Sequence, residues 1–178
     1  MRSVANLSAA LSEIDFYIIT RNTDYCSTEP YEGIPANTWM QQEANVWVYY
    51  FSEDQLTKKK LKEVMNGVQA STVYVSGIYS LAFSQWPVSI AKSLGSKTII
   101  AARGMLSPHA LAVKPMKKYL FLSLMRWINA YAGVEFHATS ENEVEDIKRI
   151  LGKQTKVHLL SNIAKPQEES KLAFHKEQ

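Results

Sequence analysis

The chain has 178 residues, a formal charge of only +3 and one cysteine, Cys26. Its length suits one domain better than two, and 46% hydrophobic with 21% charged residues marks a globular rather than a disordered protein. One cysteine excludes an internal disulfide, no Cys/His cluster has zinc spacing, no apolar run reads as a signal segment, and the most apolar stretch, YLFLSLMRWINAYAGV, is broken by Arg126 and Asn129 and falls short of a bilayer span.

Strand and helix signals alternate from the start. VANLSAALSE places Val4, Leu7, Ala10 and Leu11 on one face of a short amphipathic helix. FYIIT then reads as a buried strand. Residues 21–44 are polar and rich in turn formers (Asn22, Pro30, Gly33, Pro35, Asn37) and read as a long loop. VWVYYF is a second strand. Ser52 and Gln55 have capping-box spacing ahead of a helix whose stripe is Leu61, Val64, Met65 and Val68. TVYVS is a third strand, closed by Gly77. Pro87 and Gly95 bracket a helix carrying Val88, Ala91 and Leu94.

KTIIAA is the next strand. A long apolar helix is expected from about Pro115 to Ala132, with Gly133 as its stop. VEFHATS returns as a strand, and Ser140 with Glu143 forms a second capping box before a helix with Val144, Ile147 and Leu151 inward. Lys148 and Arg149 complement the dipole in its last turn. KVHLLS is a final strand. Residues 1–164 therefore read as one domain and 165–178 as a polar tail or linker.

Strands separated by helices of this length imply parallel crossovers, hence an open, Rossmann-like α/β sheet with helices on both faces. Ligands of such sheets bind outside the carboxyl ends of the strands. That rule singles out Ser76–Ser80, Arg103–Ala110 and Ser140–Glu143 and places them along one edge.

Charge points to the same place. Between Glu63 and Glu135 there is no Asp or Glu, yet Lys92, Lys97, Arg103, Lys114, Lys117, Lys118 and Arg126 all lie there. A positive strand-end loop leading into a helix suits an anion, most simply phosphate. Arg103 is the sharpest candidate, because Gly104 beside it lets backbone approach a ligand. Lys114, Lys117 and Lys118 have helical spacing and fit either an anion site or a solvated face. His109 could act as acid, base or phosphate ligand, or do none of these. His137 sits inside a strand, where packing or support of another residue is the better reading. Tyr119, Phe121, Trp127 and Tyr131 fit an interfacial stripe beside the lysines; a helix apolar on nearly every side favours core for most of them. No Ser-His-Asp set, metal motif or Walker loop is present.

Three stretches, IIAARGMLSPHALAVKPMKKYLFLSL, FHATSENEVEDIK and KVHLLSNIAKP, resemble the N-terminal domain of glycosyltransferase family 4 enzymes of the GT-B fold. PYEGIPANTW and VYVSGIYSLAFSQWP resemble the same branch. The resemblance implies transfer of a sugar from a nucleotide-sugar to a glycan or lipid-linked acceptor, with retention, with no metal and no cofactor beyond the donor as co-substrate. It assigns this domain to the acceptor and a second Rossmann-like domain to the donor. Gly77 matches the glycine bordering the cleft, Arg103 and Gly104 the loop facing the donor, Ser140 and Glu141 the turn near the hinge, and Asn162 the crossing point between domains. The implied substrate-binding set is Ser76, Gly77, Tyr79, Gly104, Met105, Lys114, Lys117, Lys118, Ser140 and Glu141, with Arg103 and His109 nearest the chemistry.

Two departures accompany the resemblance. The family opens with a strand and a Gly-Gly loop before the helix matched by VANLSAAL, and it continues past Asn162 into the donor domain. Ala102 also stands where proline is usual. The expected consequences are a chain inactive by itself and, between FYIIT and TVYVS where the first strand of such a sheet sits, either direct pairing or a gap or exposed edge, with imperfect closure favoured and the helix at residues 3–13 loosely held. Expected partners are the acceptor, the nucleotide-sugar through the other domain, and peripherally the inner face of a membrane from a cytoplasmic setting. Two readings of other kinds remain: a non-catalytic module for anions (nucleic acid less favoured), and the interaction half of a split transferase.

Overall fold

A computed structural model describes residues 2–24 and 26–163, with side chains from Val4 onward. Helix α1 (Arg2–Ala10) leads into strand β1 (Phe16–Arg21), and β2 (Trp39–Glu43) and β3 (Val46–Phe51) follow as a hairpin. Then come α2 (Lys58–Val68), β4 (Thr72–Ser76), a π-helical turn (Leu81–Gln85), α3 (Trp86–Leu94) and β5 (Lys97–Ala101). The chain continues through α4 (Pro108–Ala112), α5 (Pro115–Trp127), β6 (Glu135–Ala138), α6 (Glu141–Leu151) and β7 (Val157–Leu159).

The strands form two sheets, in the orders β1-β3-β2 and β4-β5-β6-β7. The second is parallel throughout, as its helical crossovers require. In the first, β1 pairs parallel to β3 and β2 antiparallel. Strands β1 and β4 do not pair, so each is an edge. They are nevertheless linked at their carboxyl ends, where the Arg21 guanidinium lies 5.7 Å from the Phe83 ring centroid in the π-helical turn after β4.

Two cores hold this arrangement. Val75, Ile100 and Phe136 of the parallel sheet pack with Leu111, Leu122 and Ile147 of α4, α5 and α6. Tyr49 and Phe51 of β3 pack with Leu61, Val64 and Met65 of α2 and with Ile90 and Ala91 of α3. Helix α3 gives Val88 to the first core, and Val73 of β4 packs against both, so the two sheets share a seam. On the opposite face of the parallel sheet, Tyr74, Ile99 and His137 are half-buried. Helix α1 is tied to the hairpin by Asn45, whose amide donates to the Leu11 and Ile14 carbonyls at 3.2 and 2.9 Å.

Several boundaries differ from the sequence reading. The loop expected over 21–44 ends in β2, which escapes notice because Gln41, Gln42 and Glu43 are polar and exposed. Helix α2 does not start from Ser52. The Ser52 hydroxyl accepts from the Asn37 amide at 2.8 Å and its N–H donates to Asn37 Oδ1, while Thr57 caps the helix by accepting from Lys60 N–H. Helix α5 stops at Trp127, five residues short of Ala132, because Asn129 takes a left-handed φ of 51° and the chain turns there. The stop at Gly133 instead closes the turn that follows. The polar tail, residues 165–178, lies outside the described residues.

Candidate functional site

Parallel pairing sets the carboxyl ends of β4, β5, β6 and β7 on one edge, and the expected segments meet there. Gly77 continues the ladder by donating to the Ala101 carbonyl at 2.8 Å, with φ +93°. A Cβ at this position would sit 3.2 Å from Met105 Cε, so glycine answers both to the backbone and to the neighbouring loop. The Tyr79 hydroxyl donates to the Met105 carbonyl at 3.2 Å, closing the first loop onto the second. Ser76 is exposed, and Ser80 caps the π-helical turn through the Phe83 N–H.

The second loop turns on consecutive left-handed residues, Arg103 (φ 54°) and Gly104 (φ 69°). For arginine this conformation costs about 1–2 kcal/mol, which the surrounding hydrogen bonds offset. Gly104 N–H donates to Glu143 Oε1 at 2.7 Å, and the other carboxylate oxygen accepts from Thr139 N–H at 2.8 Å and its hydroxyl at 3.0 Å. Glu143 is 7% exposed. Burial pushes its carboxyl up, but the Thr139 and Gly104 hydrogen bonds outweigh that and hold it below the usual value. The capping box is therefore only half as expected. Ser140 accepts from Glu143 N–H at 3.3 Å, but Glu143 reaches back to Thr139 and across to the Arg103 loop instead of to Ser140.

The Arg103 side chain meets neutral partners. Nη1 donates to Asn162 Oδ1 at 2.9 Å, and Nη2 lies 3.5 Å from the Tyr74 hydroxyl. That hydroxyl is 2.6 Å from His137 Nδ1, and His137 Nε2 is 2.8 Å from the Leu160 carbonyl. A carbonyl only accepts, so Nε2 carries a proton, and in the neutral ring Nδ1 accepts from Tyr74. Burial pushes the Tyr74 phenol up, with Arg103 opposing and Glu143 adding to it, so the hydroxyl remains a donor at neutral pH. Among the described residues no carboxylate forms an ion pair with Arg103. Among these residues its positive charge is held in place by neutral partners, with no acid paired to it.

The lysines divide. Lys118 Nζ donates to the Ala110 carbonyl and sits 5.4 Å from the Tyr79 ring centroid, which brings it to this edge. Lys114 occupies the left-handed position before α5 and Lys117 is exposed on that helix; neither bonds to the loops. His109 is exposed on α4 rather than on a loop, with no hydrogen bond among the described residues to the Arg103 network. Glu141 is exposed in the first turn of α6. Ala102 is fully buried in the core.

Tyr74 was not singled out from sequence, His137 was read only as packing or support, and Glu143 fell inside the strand-end segment Ser140–Glu143 without a role of its own beyond the cap. Glu143 carried a signal in its cap spacing, whereas the reach to Gly104 spans 39 residues and has none. The strand register puts Tyr74, Ile99, Ala101 and His137 on one face, and alanine at 101 leaves the two rings room to meet. Among the described residues no group of His, Cys, Asp or Glu could hold a metal ion, and no helix is long and apolar enough to cross a membrane. In comparisons with protein-family models, curated proteins and solved structures, nothing matches this chain.

Proposed function

We propose that this chain is the acceptor-side domain of a GT-B, family 4 glycosyltransferase, and that its carboxyl edge supports the diphosphate of a nucleotide-sugar or lipid-linked substrate. One observation carries the reading. Among the described residues Arg103 is fixed at the strand ends by the neutral acceptors Asn162 and Tyr74, while the nearby acid, Glu143, is consumed by backbone and hydroxyl donors.

The chemistry needs that arrangement. When the sugar moves, the bond from its anomeric carbon to the diphosphate breaks and a bond to an acceptor oxygen forms. Negative charge grows on the departing diphosphate, and a pre-positioned guanidinium stabilises it without reorganising. Lys118, held against Tyr79, lends further positive potential to the same edge. Donor gripping falls to a second domain, so residues 1–178 alone transfer no sugar. The one cysteine, exposed at position 26, fits a reducing, cytoplasmic setting.

Calorimetry with pyrophosphate and with a nucleoside diphosphate tests the reading. Arg103→Ala is expected to weaken binding by about 1.5–3 kcal/mol, as for a charged hydrogen bond, with the melting temperature nearly unchanged. Unchanged affinity together with a large loss of melting temperature contradicts it. Binding that depends steeply on salt and indifferently on the diphosphate favours a nucleic-acid module instead. Sugar turnover by the purified chain alone overturns the division of labour between two domains.

A further inference from the structure

The chain leaves the parallel sheet through residues 160–163, and hydrogen bonds fasten that exit. Leu160 N–H donates to the Ala138 carbonyl at 3.0 Å, and the Leu160 carbonyl is 2.8 Å from His137 Nε2. Further along, Asn162 Oδ1 accepts from Arg103 Nη1 at 2.9 Å and the Ile163 carbonyl accepts from the Asn6 amide of α1 at 3.0 Å. Tyr74 joins the two side chains that reach the exit from the sheet. Its hydroxyl is 2.6 Å from His137 Nδ1 and, in a longer contact, 3.5 Å from Arg103 Nη2. With the His137 proton on Nε2, each donor in this row has one acceptor. The guanidinium meets the phenol oxygen, the phenol donates to Nδ1, and Nε2–H donates to the Leu160 carbonyl.

One added proton reverses the middle of the row. Imidazolium donates from both nitrogens, so the phenol oxygen must accept from His137 while its own hydrogen loses Nδ1. A second cation then stands one oxygen away from the guanidinium. The loop backbone does not hold the guanidinium back, because Gly104 N–H is anchored on Glu143 independently of the Arg103 side chain. The bond from Nε2 to Leu160, by contrast, becomes charge-assisted and tightens. We propose that His137 is a protonation latch on the exit segment. With the ring neutral, Arg103 is docked on Tyr74 and Asn162; with the ring protonated, the guanidinium leaves and Asn162 is released, while Leu160 stays in the ladder. Among the described residues, charged and titratable groups face the ring from each neighbouring element. Tyr74 comes from β4, and Arg103, which follows β5, opposes the imidazolium. Glu143 of α6 attracts it, but with both carboxylate oxygens engaged by Gly104 and Thr139 offers the guanidinium no new partner. On β7, His158 stands in register with His137 and is itself 2.7 Å from Glu135 of β6.

The latch needs no ligand and is independent of the diphosphate reading. Nitrogen-15 NMR of the whole chain tests it between about pH 8 and pH 5, the interval in which histidine changes charge. At the alkaline end the His137 ring should carry its proton on Nε2. As the ring protonates, the carboxamide and backbone amide of Asn162 should shift with the midpoint of the ring itself, and the Leu160 amide should keep its exchange protection. His137→Gln, neutral at every pH, should abolish the Asn162 transition. In Tyr74→Phe the ring should still titrate while the Asn162 shifts shrink by about threefold or more, because the link to Arg103 is gone. His158→Gln should leave the transition in place, which separates the two histidines. The shared midpoint is read in the unaltered chain and decides the matter even where a substitution unfolds it. Asn162 signals that stay constant or follow another midpoint while His137 titrates overturn the proposal. So do a transition that survives both His137→Gln and Tyr74→Phe, a neutral ring protonated on Nδ1, and loss of Leu160 protection together with the Asn162 shift.

Discussion

The two edges of the parallel sheet treat charge in opposite ways. At the amino edge Glu135 meets Lys156 at 2.6 Å, Lys97 at 3.0 Å and His158 Nε2 at 2.7 Å. These contacts, Lys156 first, hold its carboxyl down at about 2. At the carboxyl edge the acid and the cation are kept apart. Glu143 is satisfied by N–H and hydroxyl groups, and Arg103 by an amide oxygen and a phenol. Charge at one edge is paired within the protein, and at the other, among the described residues, acid and cation each take neutral partners. The difference also separates structure from function on a single sheet, since the amino edge can lose its ion cluster without loss of any candidate site residue.

The comparison is broken most severely at Glu143. Glu143→Ala leaves the Gly104 and Thr139 N–H groups unpaired, and should destabilise the fold by about 3 kcal/mol in denaturant unfolding. Because the folded carboxyl lies below its ordinary value, its stabilising contribution is complete at neutral pH and is lost as pH falls through the folded value. Glu143→Gln should therefore flatten the acid limb of the stability curve. A variant as stable as the unaltered chain would mean that the Arg103 loop holds its shape without this carboxylate.

Gly77→Ala comes next. Its φ of +93° and the crowding against Met105 should cost about 1–2 kcal/mol. The effect should reach the second loop as well, weakening the Tyr79–Met105 hydrogen bond that joins them. Amide shifts confined to residues next to position 77 would show that the two loops are not coupled.

Glu135→Gln is the mildest change, since ion pairs whose lysines stand largely in solvent contribute little. Its folded pKa near 2 lies below the ordinary 4.5, so its contribution is full above pH 4.5 and disappears as pH falls toward 2. The variant and the unaltered chain should therefore differ at neutral pH and converge in acid, with the difference shrinking in salt. Curves that stay parallel throughout would remove the amino-edge cluster from the account.

Much of this was legible in the sequence, for physical reasons that can be named. The strands of the parallel sheet are short β-branched and aromatic runs. Gly77 and Gly95 end elements in left-handed conformations, Pro87 and Pro115 sit in first turns, and Ser140 caps α6. Each is a local rule obeyed locally. What stayed hidden depends on partners far along the chain. Ser52 looks like a helix cap until Asn37 claims it. Strand β2 has no apolar alternation because its outer residues face water. Imperfect closure between β1 and β4 was favoured over direct pairing on the family resemblance, and the structure leaves these two strands unpaired. For the site, the edge and Arg103 were legible from strand ends and charge, whereas the contacts of Tyr74 with Arg103 and with His137 exist only once three strands are in register.

The central claim is that Arg103, paired with no acid among the described residues, serves a diphosphate at the carboxyl edge. Amide chemical-shift mapping during titration with a nucleoside diphosphate tests it most directly, because it reports position as well as affinity. The account predicts shifts at Gly77–Tyr79, Arg103–Met105, Thr139–Ser140 and Asn162, all lost in Arg103→Ala, with Lys97, Glu135 and Lys156 unmoved. Shifts centred on the Glu135 edge, or a carboxyl-edge pattern that persists without Arg103, would contradict it.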